Sequence, residues 1–383
     1  MDPSRASRVL VPMTLARTRL YLGMAAVGST GLAAAGALWF DLPGVWLSTD
    51  PSATVLRVAG SALAWPLAWS LLLFPLDVMG GMVAVRDRPA APIWFGRWLR
   101  GVLLQLVVLA IVAVPLVLLS RSLGLFGAVA GAALTGALIM SQAGTLARLG
   151  ASFHRVPTDD DRFREAGLGE IPVEVLATED QAFVGGFSGL VRPRLMVPAA
   201  WLALPAPTLH GLLVRRRLAG TAPRVRGIGL ALAWLAFGAT LSGFFVALPD
   251  SAAGLVRFSL GTTLWSFIGV LVLPTPSRRA VIALDQRAAQ AVGREAIADG
   301  IVALDRWQDD EPARARVVET IFHPVPGRES RLALLGGPMP SASGAWRVAR
   351  LALPLGLGSW SLLGRAVHCN LGRPALWWML PGD

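Results

Sequence analysis

The chain has 383 residues, 54% of them hydrophobic and only 15% charged, with a mean hydropathy of +0.57. A soluble globular protein carries about 25% charged residues, so lipid is expected to be part of the solvent. All 35 basic residues are arginines, set against 24 acidic ones, a net charge of +11. The apolar bulk assigns those arginines to the flanks of membrane spans, and no nucleic-acid partner is expected. The single cysteine, Cys369, excludes an internal disulfide and a cysteine-based zinc site.

Residues 1–19 are basic, and a first apolar segment runs from about residue 20 to 40. It is too long for a signal-peptide core. An acidic, arginine-free connection over 41–52 leads to a second segment, about 55–84, broken by Pro66 and Pro75 and holding Asp77. After a loop with Arg86, Arg88, Arg97 and Arg100 come two more, about 102–119 and 123–146. Residues 148–226 are mixed and turn-rich; apolar segments return at about 227–248 and 255–273. Residues 277–344 are polar with a helical pattern, and a last stretch, about 351–363, is short and contains Pro354. It is a seventh span or an interfacial helix. A helix needs about 20 apolar residues to cross the hydrocarbon core, which makes six spans. The arginine-rich loops all fall on one side if the amino terminus is cytoplasmic, and both polar regions then face the cytoplasm. The expected division is 1–147, four spans; 148–226, cytoplasmic; 227–273, two spans; 274–345, the second cytoplasmic part; and 346–383, a hydrophobic or interfacial tail.

Within the first polar region the pattern reads strand, strand, helix. Pro172-Val-Glu-Val-Leu176 alternates as a strand does. Gln181-Ala182-Phe183 follows, then Arg192-Pro193-Arg194-Leu195-Met196-Val197-Pro198 as a second short strand. Pro207-Thr208 suits the start of a helix continuing Leu209-His210-Gly211-Leu212-Leu213-Val214-Arg215-Arg216-Arg217-Leu218-Ala219. After the two later spans, Val281-Ile-Ala-Leu-Asp285 opens another helix, and His323-Pro324 is followed by Arg328 and Arg331.

These segments, in this order and with two spans between them, resemble the membrane zinc metallopeptidases of the HtpX and CAAX-prenyl-protease type, within the gluzincins. That family places an Asn-Ala-Phe-like motif, a strand, a His-Glu-x-x-His helix, two spans, a Glu-x-x-Ala-Asp helix and a His-Pro…Arg segment. Gln181, Ala182 and Phe183 match the first motif, and His323, Pro324, Arg328 and Arg331 the last. The resemblance puts the two histidine ligands at Arg215 and Ala219, the general base at Arg216 and the third ligand at Val281. It makes Asp285 the remnant of the carboxylate that orients the first histidine. A catalytic zinc needs three nitrogen or oxygen ligands and an open water position. Arginine stays protonated, while alanine and valine have no lone pair to offer. The expectation is a degenerate member without a metal or catalytic residues, in which Arg215, or Arg216 beside it, pairs with Asp285.

The fold implied is a polytopic α-helical bundle with a gluzincin-like α+β domain. The resemblance further implies that the strand containing Arg192, Arg194, Leu195, Met196 and Val197 offers an edge to an extended peptide, a mode that needs only backbone hydrogen bonds. A pseudo-peptidase that binds a protein or peptide is therefore the leading reading, alongside the bilayer itself. Two alternatives stay open: an active peptidase that takes zinc on other ligands, and a transporter or channel component using Asp77, since intramembrane acids are often functional. His210 reads as an exposed or capping residue. Trp94, Trp98, Trp346, Trp377 and Trp378 read as interfacial anchors, and Asp159-Asp160-Asp161 and Asp309-Asp310-Glu311 as solvated loops. Uniform arginine with abundant alanine, glycine and leucine suggests GC-rich bacterial coding, hence a bacterial inner membrane.

Overall fold

The computed structural model describes residues 14–377, apart from 151–152, 159–160, 179, 181–182, 191, 221, 309, 312–313, 343, 353–362 and 368. The expected seventh span, Gln181, Ala182 and Trp378 lie outside the described residues. Helix α1 (Leu15–Trp39) starts at Thr14, whose hydroxyl accepts from the Arg17 N–H at 3.2 Å. Short α2 (Leu42–Trp46) and α3 (Val55–Ala62) lead into α4 (Ala64–Val78), which ends in a π-helical turn, Met79–Val83. Then comes α5 (Ala91–Gly150), sixty residues interrupted only at Gly124, where φ is 57° and ψ −133°. A straight helix of that length would run about 90 Å, three times the hydrocarbon thickness. Instead it folds back, so that Gly131 packs on Leu116.

The polar part begins with β1 (His154–Val156), α6 (Asp161–Glu165), β2 (Val173–Ala177), β3 (Gly186–Ser188) and β4 (Arg194–Pro198). The sheet order is β1-β2-β4-β3, with β2 and β4 parallel and both outer pairings antiparallel. A 3₁₀ turn, Ala199–Ala203, leads to α7 (Ala206–Gly220). Two long apolar helices follow, α8 (Ala222–Phe245) and α9 (Ala252–Val272); Ser251 caps the second by accepting from Gly254 N–H at 3.1 Å. The chain then returns to the polar part as α10 (Pro274–Val292), α11 (Arg294–Gln308), α12 (Arg316–Phe322) and α13 (Arg328–Leu334). Helix α10 stops at Gly293, whose φ of 95° suits glycine at a helix end. Finally α14 (Ala345–Ala352), α15 (Leu363–Ala366) and a 3₁₀ turn, Pro374–Leu376, close the chain.

Five helical stretches are long and apolar enough to cross a membrane: Leu15–Trp39, Val55–Val83, Ala91–Gly150, Pro223–Phe245 and Ala252–Val272. Among them lies one apolar core, including Ala34, Ala59, Leu116, Ala128 and Phe258. A second core joins both polar regions: Val175, Leu195 and Val197 of the sheet pack with Leu209, Leu212 and Leu213 of α7 and Leu304 of α11. Gly211 lets α7 come close to α11, where a Cβ would stand 3.2 Å from the Ala296 carbonyl. This packing places α7 against the sheet, α10 and α11 together, and so positions the site described next.

Candidate functional site

Where α7 meets α10 and the sheet, charged side chains are buried. Arg215 is 1% exposed, Arg216 3% and Asp285 1%. Arg215 Nε donates to Asp285 Oδ1 at 2.6 Å, the pairing expected from the sequence. A second arginine completes the arrangement. From α13, Arg331 donates through Nε to Asp285 Oδ2 at 2.7 Å and through Nη2 to Oδ1 at 2.9 Å. Burial alone would raise the Asp285 carboxyl pKa, but Arg331 and Arg215 outweigh it and hold the group below the ordinary carboxylate value. Arg216 faces elsewhere: Nη2 donates to the Val184 carbonyl at 2.8 Å, and the guanidinium lies 5.4 Å from the Trp201 ring centre. Ala219 and Val281 are buried apolar residues on the same two helices, 4% and 0% exposed.

The other matched residues divide. Phe183 is buried against Phe153, with ring centres 4.8 Å apart. His323 ends α12, its N–H donating to the Glu319 carbonyl at 3.2 Å, with Pro324 directly after. Arg328 pairs with Asp305 of α11 at 3.2 Å rather than joining Asp285. His210 is half-buried and His154 exposed on β1. Among the described residues no three His, Cys, Asp or Glu side chains gather as a metal-binding group. The four matched positions themselves do not fit zinc: two guanidinium groups repel a cation, and Ala219 and Val281 have no donor atom.

Three expectations are corrected. Strand β4 has a neighbour on each side, Val173 of β2 and Phe187 of β3 both standing opposite Leu195. Leu195 and Met196 therefore have no free backbone edge for a peptide, while Val197 pairs with β2 alone. Arg194, though exposed, pairs within the sheet with Glu174 at 2.7 Å, and Arg148 from the end of α5 meets the same buried carboxylate at 3.1 Å; Arg192 is exposed as well.

Asp77 is buried and fully engaged in the fold. Its Oδ2 accepts from Trp98 Nε1 and Arg365 Nε, both at 3.0 Å, and its Oδ1 from the Gly372 N–H at 2.9 Å. The span acid thus fastens the C-terminal segment. A Cβ on Gly80 would come within 2.5 Å of the Leu371 carbonyl, so this backbone-on-backbone contact requires glycine there.

Trp94, Trp98 and Trp377 are buried within this junction, not set out as interfacial anchors, and Trp94 and Trp377 donate to the Gly372 and Asn370 carbonyls, each at 2.9 Å. Aromatic residues exposed at span ends include Trp39 and Phe40 after α1 and Phe244 and Phe245 at the end of α8. Last, Glu311 is buried and accepts from Arg17 at 2.8 Å, so this residue of the second acidic loop latches onto α1, while Asp310 is exposed as expected and Asp309 lies outside the described residues. Arg365 and Arg331 are the partners that mattered most. The requirement that a buried acid find a cation was the available signal for both.

No family model matches the chain, and no curated protein sequence matches it. Among solved structures it is similar to the crystal structure of Ste24p from S. mikatae, with a TM-score of 0.62 at 11% identity, covering 77% of this chain and 81% of that one. The two share a fold.

Proposed function

We propose that this is a catalytically inactive, multi-pass membrane protein on a metallopeptidase fold, working by binding or regulation instead of hydrolysis. Ste24p is of the same broad class as the family the motifs resemble, which ties the fold to that chemistry. The observation that carries the inactive reading is the Arg215–Asp285–Arg331 cluster. Two guanidinium groups supply beside Asp285 the positive charge that a zinc ion with its histidine would bring. They do so without a lone pair to hold the metal or a base to activate water.

In this reading α5 is a hairpin of two spans turning at Gly124, so the chain crosses six times. The amino terminus and both polar blocks lie on the arginine-rich, cytoplasmic side of a bacterial inner membrane. The blocks 148–226 and 274–345 make one domain, and the partner is a protein or peptide that does not add to β4. With Asp77 holding the C-terminal segment, the transporter reading has lost its supporting residue.

Metal analysis of purified chain, saturated with zinc and then desalted, tests this. Sub-stoichiometric zinc is expected. One zinc per chain, displaced by a chelator together with peptidase activity on an unfolded substrate, would overturn it.

A further inference from the structure

Between the polar domain and the arginine-rich ends of the membrane helices lies a cavity of about 400 Å³, in the size range of small-ligand sites. Its lining includes Arg19, Arg86, Arg88, Arg97 and Arg373 against Asp87 and Asp180, a net charge of +3. The site is built from separate parts of the chain. Arg19 comes from α1, where its Nη1 donates to the Gly80 and Ala84 carbonyls at 2.9 and 2.8 Å. Arg373 comes from the C-terminal segment and holds Asp180 through Nε at 2.7 Å. Burial, and secondarily the charge of Arg19, push the Arg373 guanidinium well below its ordinary pKa. Cations crowded in this way are stabilised by an anion between them.

The first two turns of α5 also line the cavity, with Pro89 before them and Trp94 and Arg97 within them, so the positive end of a long helix adds to the field. Leu15, Val85 and Trp307 give one wall an apolar character.

We propose that this cavity binds a phosphate-bearing anion. Arginine-lined pockets beside span ends on the cytoplasmic side suit lipid headgroups, and the apolar lining would meet the first carbons of the acyl chains. A soluble phosphate compound carries the same recognised group. The inference does not depend on the loss of zinc.

The test is the thermal midpoint of the full chain in two settings. In one it is reconstituted in nanodiscs of phosphatidylcholine, with or without phosphatidylglycerol. In the other it is in detergent with inorganic pyrophosphate. The parent is compared with Arg88→Gln/Arg97→Gln and with Arg192→Gln, which removes an exposed arginine elsewhere. A midpoint rise with phosphatidylglycerol alone identifies a lipid headgroup; a rise with pyrophosphate in detergent identifies a soluble ligand. In either case the double variant should need about tenfold more ligand for the same rise, the equivalent of one lost charged contact, while Arg192→Gln should match the parent. Should the double variant not fold, Arg88→Gln alone, at an exposed position, carries the comparison. No rise for the parent with either probe, or the same response from all variants, would overturn the proposal.

Discussion

At the residue scale the fate of Asp285 decides how the lost site is read. A buried carboxylate shared by two arginines has paid desolvation three times over, and the hydrogen bonds of Arg215 and Arg331 must offset it. Removing the carboxylate leaves two buried cations facing each other, so Asp285→Asn should cost about 3–5 kcal/mol and lower the thermal midpoint in detergent. The same logic gives a pH dependence. The carboxyl pKa is lower in the folded state than in the unfolded chain, where it is about 3.9. The contribution is then fully present above about pH 4 and is lost as pH falls through the folded value. Parent and Asp285→Asn should show parallel midpoints from pH 5 to 8 and converge only under stronger acid; convergence near neutrality would contradict the assignment. The Arg215–Asp285 pair was legible because both residues sit in helices whose register the motif frame fixes. The Asp77–Arg365 pair was not, because it joins positions 288 apart with nothing local to link them.

At the scale of elements, α5 shows which part of a hairpin each glycine serves. Gly124 has open space where a Cβ would stand but a backbone that side chains rarely adopt; Gly127 has no such dihedral, yet a Cβ there would overlap the Leu119 carbonyl. Gly124→Ala should therefore cost about 1–3 kcal/mol through the backbone, and Gly127→Leu at least as much through overpacking, about 1–3 kcal/mol or more. Gly96→Ala, in the same helix with open space and ordinary φ, should be neutral or slightly stabilising. Thermal midpoints of the three variants check the split, and equal losses at 96 and 127 would argue against the close packing. The two apolar runs and a short break between them were visible in the sequence; that the break falls at Gly124 rather than at Ser120-Arg121-Ser122 was not, since the apolar pattern alone does not mark where the backbone turns. Strand β4 teaches a similar lesson. Its proline-bounded length was readable, but which strands flank it depends on pairings made by distant residues, so Leu195 and Met196 looked free when they were not.

For the whole molecule, the arginine distribution is the property that orders everything else, and the structure explains its exceptions. Three arginines fall on the acidic side, Arg57, Arg121 and Arg257. Two of them tie the outer connections together. Arg121 donates from Nε to the Asp250 carbonyl at 2.7 Å and from Nη1 to the Ala53 carbonyl at 2.8 Å, and Arg257 Nε meets Asp41 at 2.7 Å. Charges held in this way serve as staples, which is compatible with the proposed orientation. On the opposite side, the 85–100 loop and the polar domain keep their cationic surplus. The orientation can be tested with the lone cysteine removed. The backbone carbonyl of Cys369 accepts from Arg19 and Arg373, contacts that Cys369→Ser keeps. On that background, Ser52→Cys lies in the exposed acidic connection and Glu170→Cys in the exposed part of the polar domain. A membrane-impermeant maleimide should label position 52 in intact cells and position 170 only after permeabilisation. The reverse pattern would place the polar domain outside, and with it would fall the assignment of the arginine-lined cavity to the cytoplasmic leaflet.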